Sequence, residues 1–168
     1  GELMVKGPNV MMGYFGDEEA TKETIEDGWL HTGDLCSIDK DGYIYIYGRK
    51  KSVIVLKNGK NIFPEEMENL VNKIEGVQES MIYSILNKDA KDENDIRIAA
   101  RVVYDKDIMK EMYNIEDEKE IYETINNKIK EINKIMPLYK SIMGLTITQE
   151  PFIKTTTGKI KRQENLKF

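Results

Sequence analysis

Two apolar, β-branched runs, Val77 to Leu86 and Ile96 to Tyr104, lie between stretches of helical periodicity, and this pattern leaves the chain few ways to fold. Ahead of them, Met67, Leu70, Val71 and Ile74 form one apolar face of a helix with Pro64 in its first turn, Glu65, Glu66 and Glu68 near its positive end, and Gly76 as its expected stop. Behind them, Ile121, Ile125, Ile129, Ile132 and Met136 share a helical face within one region that runs to Pro137. Ile142, Leu145 and Ile147 suggest one more strand, and a charged hairpin-like loop is expected from Asn87 to Asp95. Strands and amphipathic helices of this kind bury their apolar faces against each other. The expected fold class is therefore α+β, a sheet packed with two or three helices.

Residues 1–48 read differently, as a small strand-rich unit. Leu3 to Val5, Leu35 to Ile38 and the run Tyr43 to Tyr47 are expected strands, with Asp41-Gly42 as a hairpin turn and Asp17 capping a short helix that reaches Ile25. Residues 49–51 form a basic junction. From 52 onward the α+β unit begins, with Ser52 to Leu56 as a strand and Lys57 to Asn61 as a polar loop whose Gly59 tolerates positive φ. From Lys154 the chain is polar, basic and rich in threonine, which is the composition of a mobile loop with a short final turn.

Composition narrows the function. A formal charge of −5 argues against a nucleic-acid-binding surface over the whole molecule. The single cysteine, Cys36, cannot close an internal disulfide, and no apolar run is long enough to cross a bilayer, so a cytoplasmic setting is expected. The single histidine, His31, and the lack of Cys/His spacing leave no metal site in the sequence. The opening Gly1-Glu2-Leu3 lacks an initiator methionine and is read as a cut inside a longer protein.

Three short segments carry chemistry. The Asp34 carboxylate, in Thr32-Gly33-Asp34, either accepts hydrogen bonds from a vicinal diol such as ribose or satisfies backbone amides of its own turn. Arg49, in Gly48-Arg49-Lys50-Lys51, offers a planar fork suited to phosphate and hydroxyl oxygens, or else is a solvated turn. Lys159, in Thr157-Gly158-Lys159-Ile160-Lys161-Arg162, is a compact point charge on a glycine-bearing loop that wraps an anion or remains a solvated tail.

Taken in order, Gly1-Glu2-Leu3, Gly13-Tyr14-Phe15, Gly28-Trp29, Thr32-Gly33-Asp34, Gly48-Arg49, Lys60 to Glu68 and Thr157 to Arg162 resemble the ANL superfamily of adenylate-forming enzymes, which contains acyl-CoA synthetases, peptide-synthetase adenylation domains and luciferases. The likeness runs over essentially the whole chain and implies the C-terminal part of such an enzyme. On it, residues 1–48 are the strand-rich end of the large N-terminal domain, 49–51 the hinge and 52–168 a mobile C-terminal lid. It implies that Asp34 holds the ribose hydroxyls, Arg49 helps bind the nucleotide, Lys51 is the hinge residue, Gly59 approaches the tunnel for the pantetheine of CoA, and Lys159 is the catalytic lysine of adenylation. The implied substrates are ATP, CoA and a carboxylic acid. Lys60 to Glu68 and Pro151 to Arg162 look most like bacterial long-chain fatty acyl-CoA synthetases. The family's phosphate loop and magnesium-binding glutamate are expected upstream, in the protein's own N-terminal domain, so the chain alone is expected to be inactive. A ligase that loads an acyl carrier protein, and a non-catalytic module of the same fold, are the alternatives.

Overall fold

A computed structural model describes residues 1–87 and 95–167. Its contacts divide the chain into two compact units, Gly1–Val53 and Ile54–Phe168.

In the first unit, β1 (Glu2–Val5), β2 (Ile25–Glu26) and β4 (Ile44–Arg49) all pair antiparallel with the long β3 (Trp29–Ile38). A short helix, α1 (Glu18–Thr24), precedes β2, and its Asp17 cap accepts a hydrogen bond from the Ala20 amide at 2.9 Å. The Asp41-Gly42 turn forms as expected. Asp39 accepts the Asp41 and Tyr43 amides at 2.9 Å each, and Gly42 has φ +87°. Tyr43 to Tyr47 leave both faces of β4 exposed. β3 is longer than the sequence indicates: it starts at Trp29 instead of Leu35, because β1 and β2 recruit Trp29 to His31 through backbone pairing that side-chain composition does not show.

The expected strand Ser52 to Leu56 is largely absent. Lys50–Ser52 wind into a 3₁₀ turn, and only β5 (Ile54–Val55) pairs, with β6 (Asn61–Ile62). The chain turns back immediately, since the Leu56 amide donates to Lys60 O at 2.9 Å.

The second unit holds a three-stranded sheet in the order β7 (Val77–Leu86), β8 (Ile96–Tyr104), β9 (Ile142–Thr148), with β7 antiparallel and β9 parallel to β8. The expected loop between β7 and β8 falls mostly outside the described residues; at its base the Asn87 amide donates to Asp95 O. The helices are α2 (Pro64–Val71), α3 (Lys106–Tyr113) and α4 (Glu118–Ile135). α2 ends at Val71, not at Gly76: the Asn72 side chain accepts the Ser80 hydroxyl at 2.7 Å, and the next amides, of Lys73 and Ile74, bond only three residues back, to Leu70 O and Val71 O. Gly76 instead lies in the turn just before β7 at φ +85°, where an added Cβ would lie 2.7 Å from Met109. The helical region before Pro137 is two helices. It breaks at Asn114, which is left-handed at φ 56°, and Asp105 and Asp117 cap the two pieces.

The sheet is covered on both faces, and strand alternation sorts the residues. Ile82, Ile98, Ala100, Val102 and Tyr104 face the helices, where they meet Met67 and Val71 of α2, Met109 of α3 and Ile121, Ile125 and Ile129 of α4. Met81 and Val103 face the other way and pack with Phe152, Ile160 and Leu166 of the C-terminal segment. The α+β architecture is the expected one. No helix among the described residues is long and apolar enough to cross a membrane.

Candidate functional site

Asp34 and Arg49 are brought together. They are direct cross-strand partners on β3 and β4, and Arg49 Nη1 donates to Asp34 Oδ1 at 2.7 Å and to the Thr32 carbonyl at 2.8 Å. The pair is partly exposed, so its own contribution to stability is about 0.2–1 kcal/mol. Its value is positional, because the fork sets the direction of the carboxylate.

Asp34 does not sit on a turn ahead of the strand, as the sequence suggests, but in a bulge within β3. Glu2 pairs with Leu35 while Met4 pairs with His31, so Thr32-Gly33-Asp34 stand opposite Leu3 alone. Gly33, at φ +72°, supplies the left-handed residue the bulge needs. The Thr32 hydroxyl ties the bulge to Leu3 O at 2.8 Å and accepts the Asp34 amide at 3.1 Å.

Glu2 is a residue that sequence reasoning missed. Its carboxylate accepts the Gly33 amide at 3.1 Å and the Lys50 ammonium at 2.9 Å, and lies 3.5 Å from His31 Nδ1. One side chain thus fastens the bulge to the residue after Arg49. Its only sequence signal was the place of Glu2 in Gly-Glu-Leu. His31 lies within β3, with its Nε2 3.7 Å from Glu26.

The Lys50 hydrogen bond, opposed by burial and supported by His31, the Lys50 charge and the Gly33 amide, holds the Glu2 carboxyl below its ordinary pKa. A depressed carboxylate adds stability above its unfolded pKa and loses it as pH falls through the folded value. Glu2→Gln should therefore flatten the acid limb of first-unit stability below about pH 5, where the unfolded carboxyl takes up its proton before the folded one does. Thermal melts followed by the fluorescence of Trp29, the only tryptophan, test this; an unchanged acid limb would refute it.

Lys51 lies exposed in the 3₁₀ turn that follows Arg49. Gly59 is at the tip of the β5–β6 turn at φ +77°, with open space where a Cβ would stand. Its amide donates to Leu56 O at 2.8 Å, and Lys60, one residue on, lies over the Tyr139 ring at 4.2 Å.

Lys159 is exposed at the end of a tight turn. The Thr155 amide donates to Lys159 O at 2.8 Å, the Lys159 amide donates to Thr155 Oγ1 at 3.1 Å, and Gly158 is at φ +79°. Below the turn Lys154 pairs with Ile160. The segment expected to be a loose tail is therefore a short hairpin. The clamps beneath it, Arg162 and Asn165, are the other residues sequence reasoning missed.

No family model matches the chain. Over its whole length it is similar in structure to the o-succinylbenzoate CoA synthetase of Bacillus subtilis in complex with its acyl-adenylate intermediate, with TM-score 0.75 and 28% identity, and it covers 30% of that chain. In sequence it is 52% identical over 79 residues to a long-chain-fatty-acid–CoA ligase of Salmonella typhimurium, which is 47% of this chain and 14% of the relative. It is 42% identical over 89 residues to a 2-succinylbenzoate–CoA ligase of Oceanobacillus iheyensis, 53% of this chain and 18% of that one.

The chain is similar in sequence and in fold to the ANL superfamily of adenylate-forming enzymes. It matches the C-terminal part of an ANL enzyme and covers less than a third of the solved relative's length. Other ANL structures similar to it include the Bacillus subtilis synthetase in complex with ATP and magnesium, at 27% identity and TM-score 0.72. The described residues gather no group of three or more His, Cys, Asp or Glu side chains able to hold a metal ion.

Proposed function

We propose that this chain is the C-terminal part of an AMP-forming acyl-CoA ligase that acts on a fatty acid. The observation that carries the reading is the 52% identity over 79 residues to a long-chain-fatty-acid–CoA ligase. The local geometry supports it, since a carboxylate and a guanidinium lie side by side on a bulge and a lysine stands on a hairpin tip.

The reaction has two halves. A carboxylate oxygen attacks the α-phosphorus of ATP and pyrophosphate leaves, giving an acyl-adenylate. The sulfur of CoA then attacks the acyl carbon, and AMP leaves with the electron pair of the broken bond. Asp34 accepts hydrogen bonds from the ribose hydroxyls, and Arg49, which engages the carboxylate through Oδ1, orients it and binds the nucleotide. Lys159 bridges acyl carboxylate, ribose and α-phosphate while charge builds during attack. Lys51 is the hinge about which the second unit changes pose between the halves, and Gly59 then approaches the pantetheine tunnel, where its bare backbone leaves room. The phosphate loop, the magnesium ligand and the acyl pocket come from an N-terminal domain outside this chain, which alone is inactive.

An aromatic acid of the succinylbenzoate type is the second reading, favoured by the 42% identity over 89 residues to a ligase of that acid. The deciding experiment is an acid panel on the full-length protein, with AMP formation as the readout and CoA or acyl carrier protein as acceptor. Turnover with long-chain fatty acids and CoA is expected. Turnover with 2-succinylbenzoate instead would overturn the substrate, and no AMP with any acid would overturn the function.

A further inference from the structure

The hairpin that carries Lys159 is bolted to the second unit from below. The carboxylate of Glu68 on α2 is almost fully buried and accepts the Ile82 amide at 2.7 Å. Arg162 meets the same carboxylate with both ends of its fork, Nη1 to Oε1 at 2.7 Å and Nη2 to Oε2 at 2.9 Å. Nη1 also donates to Ile82 O at 3.1 Å, and Nη2 reaches Glu65 Oε1 at 3.4 Å. One guanidinium thereby registers the hairpin against both α2 and β7, a task that needs a planar fork and that a lysine cannot copy. Burial opposes the charged form of Arg162, but the hydrogen bonds and charge of Glu68, with those of Glu65, outweigh it and raise its pKa.

The rest of the stem is fixed too. Asn165 is buried; its Nδ2 donates to Ile153 O and Lys161 O at 2.9 Å each, and its Oδ1 accepts the Ile153 amide at 3.0 Å. Lys154 pairs with Glu79 at 2.8 Å, and Phe152 and Ile160 pack on Met81 and Val103. Between Arg162 and Lys159 lie only Ile160, in the Lys154 bridge, and Lys161, whose amide donates to Ile153 O at 2.9 Å.

We infer that Arg162, clamped by Glu68, is a positioning residue for Lys159: it makes the hairpin a stiff arm on α2 and β7, so that the lysine is held at one defined point and does not wander with a loose loop. The inference rests on the proposed role of Lys159 in adenylation.

The test uses the full-length protein and the two half-reactions. Arg162→Lys keeps the charge and loses the fork. It should lower kcat for acid-dependent pyrophosphate release by on the order of 10- to 100-fold, because a misplacement of about 1 Å costs that much, with KM for ATP within about twofold. Reaction of preformed acyl-adenylate with CoA should change less than about twofold. The same change in a Lys159→Ala background should cost nothing further, since the arm then carries no lysine. Glu68→Gln, which keeps the shape and one acceptor, should give a smaller loss in the same half-reaction and serves if Arg162→Lys does not fold. Equal loss in both half-reactions, or the same loss with and without Lys159, would make the clamp merely structural and overturn the inference. If Lys159→Ala itself spares adenylation, the role of the lysine fails instead.

Discussion

In the proposed full-length ligase, Lys159→Ala should lower pyrophosphate release from acid and ATP by about 10²- to 10³-fold, the equivalent of about 3–4 kcal/mol, while preformed acyl-adenylate should still pass to CoA. The size follows from what the side chain offers. A cation at a defined point, in a site closed to water, stabilises charge that develops only in the transition state, and an alanine leaves that charge to solvent. Lys159 is exposed on its hairpin and makes no contact with the packed core, so the substitution should leave the fold intact and act on kcat. The asymmetry between the halves is the informative part. Equal loss of both would mean that Lys159 holds the nucleotide in general and has no special part in adenylation.

Ile125→Ala should cost the second unit about 2–5 kcal/mol, a large share of the 5–15 kcal/mol by which domains are stable. Ile125 has no exposed surface and stands in the middle of the α4 face, between Ile121 and Ile129 and over the sheet residues Ile98, Ala100 and Val102. A rigid helix and a sheet closed on its other face by Phe152 give the cavity little room to collapse. The midpoint of urea unfolding followed by far-UV circular dichroism should fall with an unchanged slope. Met143→Ala on β9, where the side chain is 70% exposed, should stay within about 0.5 kcal/mol of the parent. Similar losses from both would show that α4 does not make the core described here.

The elements legible in the sequence are those whose signal is local. Val77 to Leu86 and Ile96 to Tyr104 are strands with the ends their β-branched runs indicate, and Ile121, Ile125 and Ile129 of α4 face the core at the spacing that marks them. Pairing between distant residues was illegible. β3 gains Trp29 to His31 from β1 and β2, α2 loses a turn where Asn72 turns toward Ser80, and Ser52 to Leu56 fails as a strand because Lys60 lies close enough to close a turn.

The same division holds for the candidate site. Asp34, Arg49, Lys51, Gly59 and Lys159 stood out through the order of the motifs that hold them, since each alone reads as a turn, junction or tail residue. Glu2 and Arg162 did not, since a glutamate in a short strand and a tail arginine are unremarkable until their partners are known. Those partners are far away in sequence: Lys50 for Glu2, and Glu68 and Ile82 for Arg162. The bulge that aims Asp34 lay between these cases, since a glycine inside an extended run hints at a bulge but does not say which strand it opposes.

The parallel pairing of β9 with β8 also governs how the unit is made. β7 and β8 can meet as soon as both exist, but β9 arrives only after α3 and α4 have crossed over. Until then the free edge of β8, with Ile98, Ala100 and Val102 along it, is a bare template for another chain. A nascent chain, or one cut before Ile142, would leave that edge of β8 bare and be the aggregation-prone species until β9 takes it up.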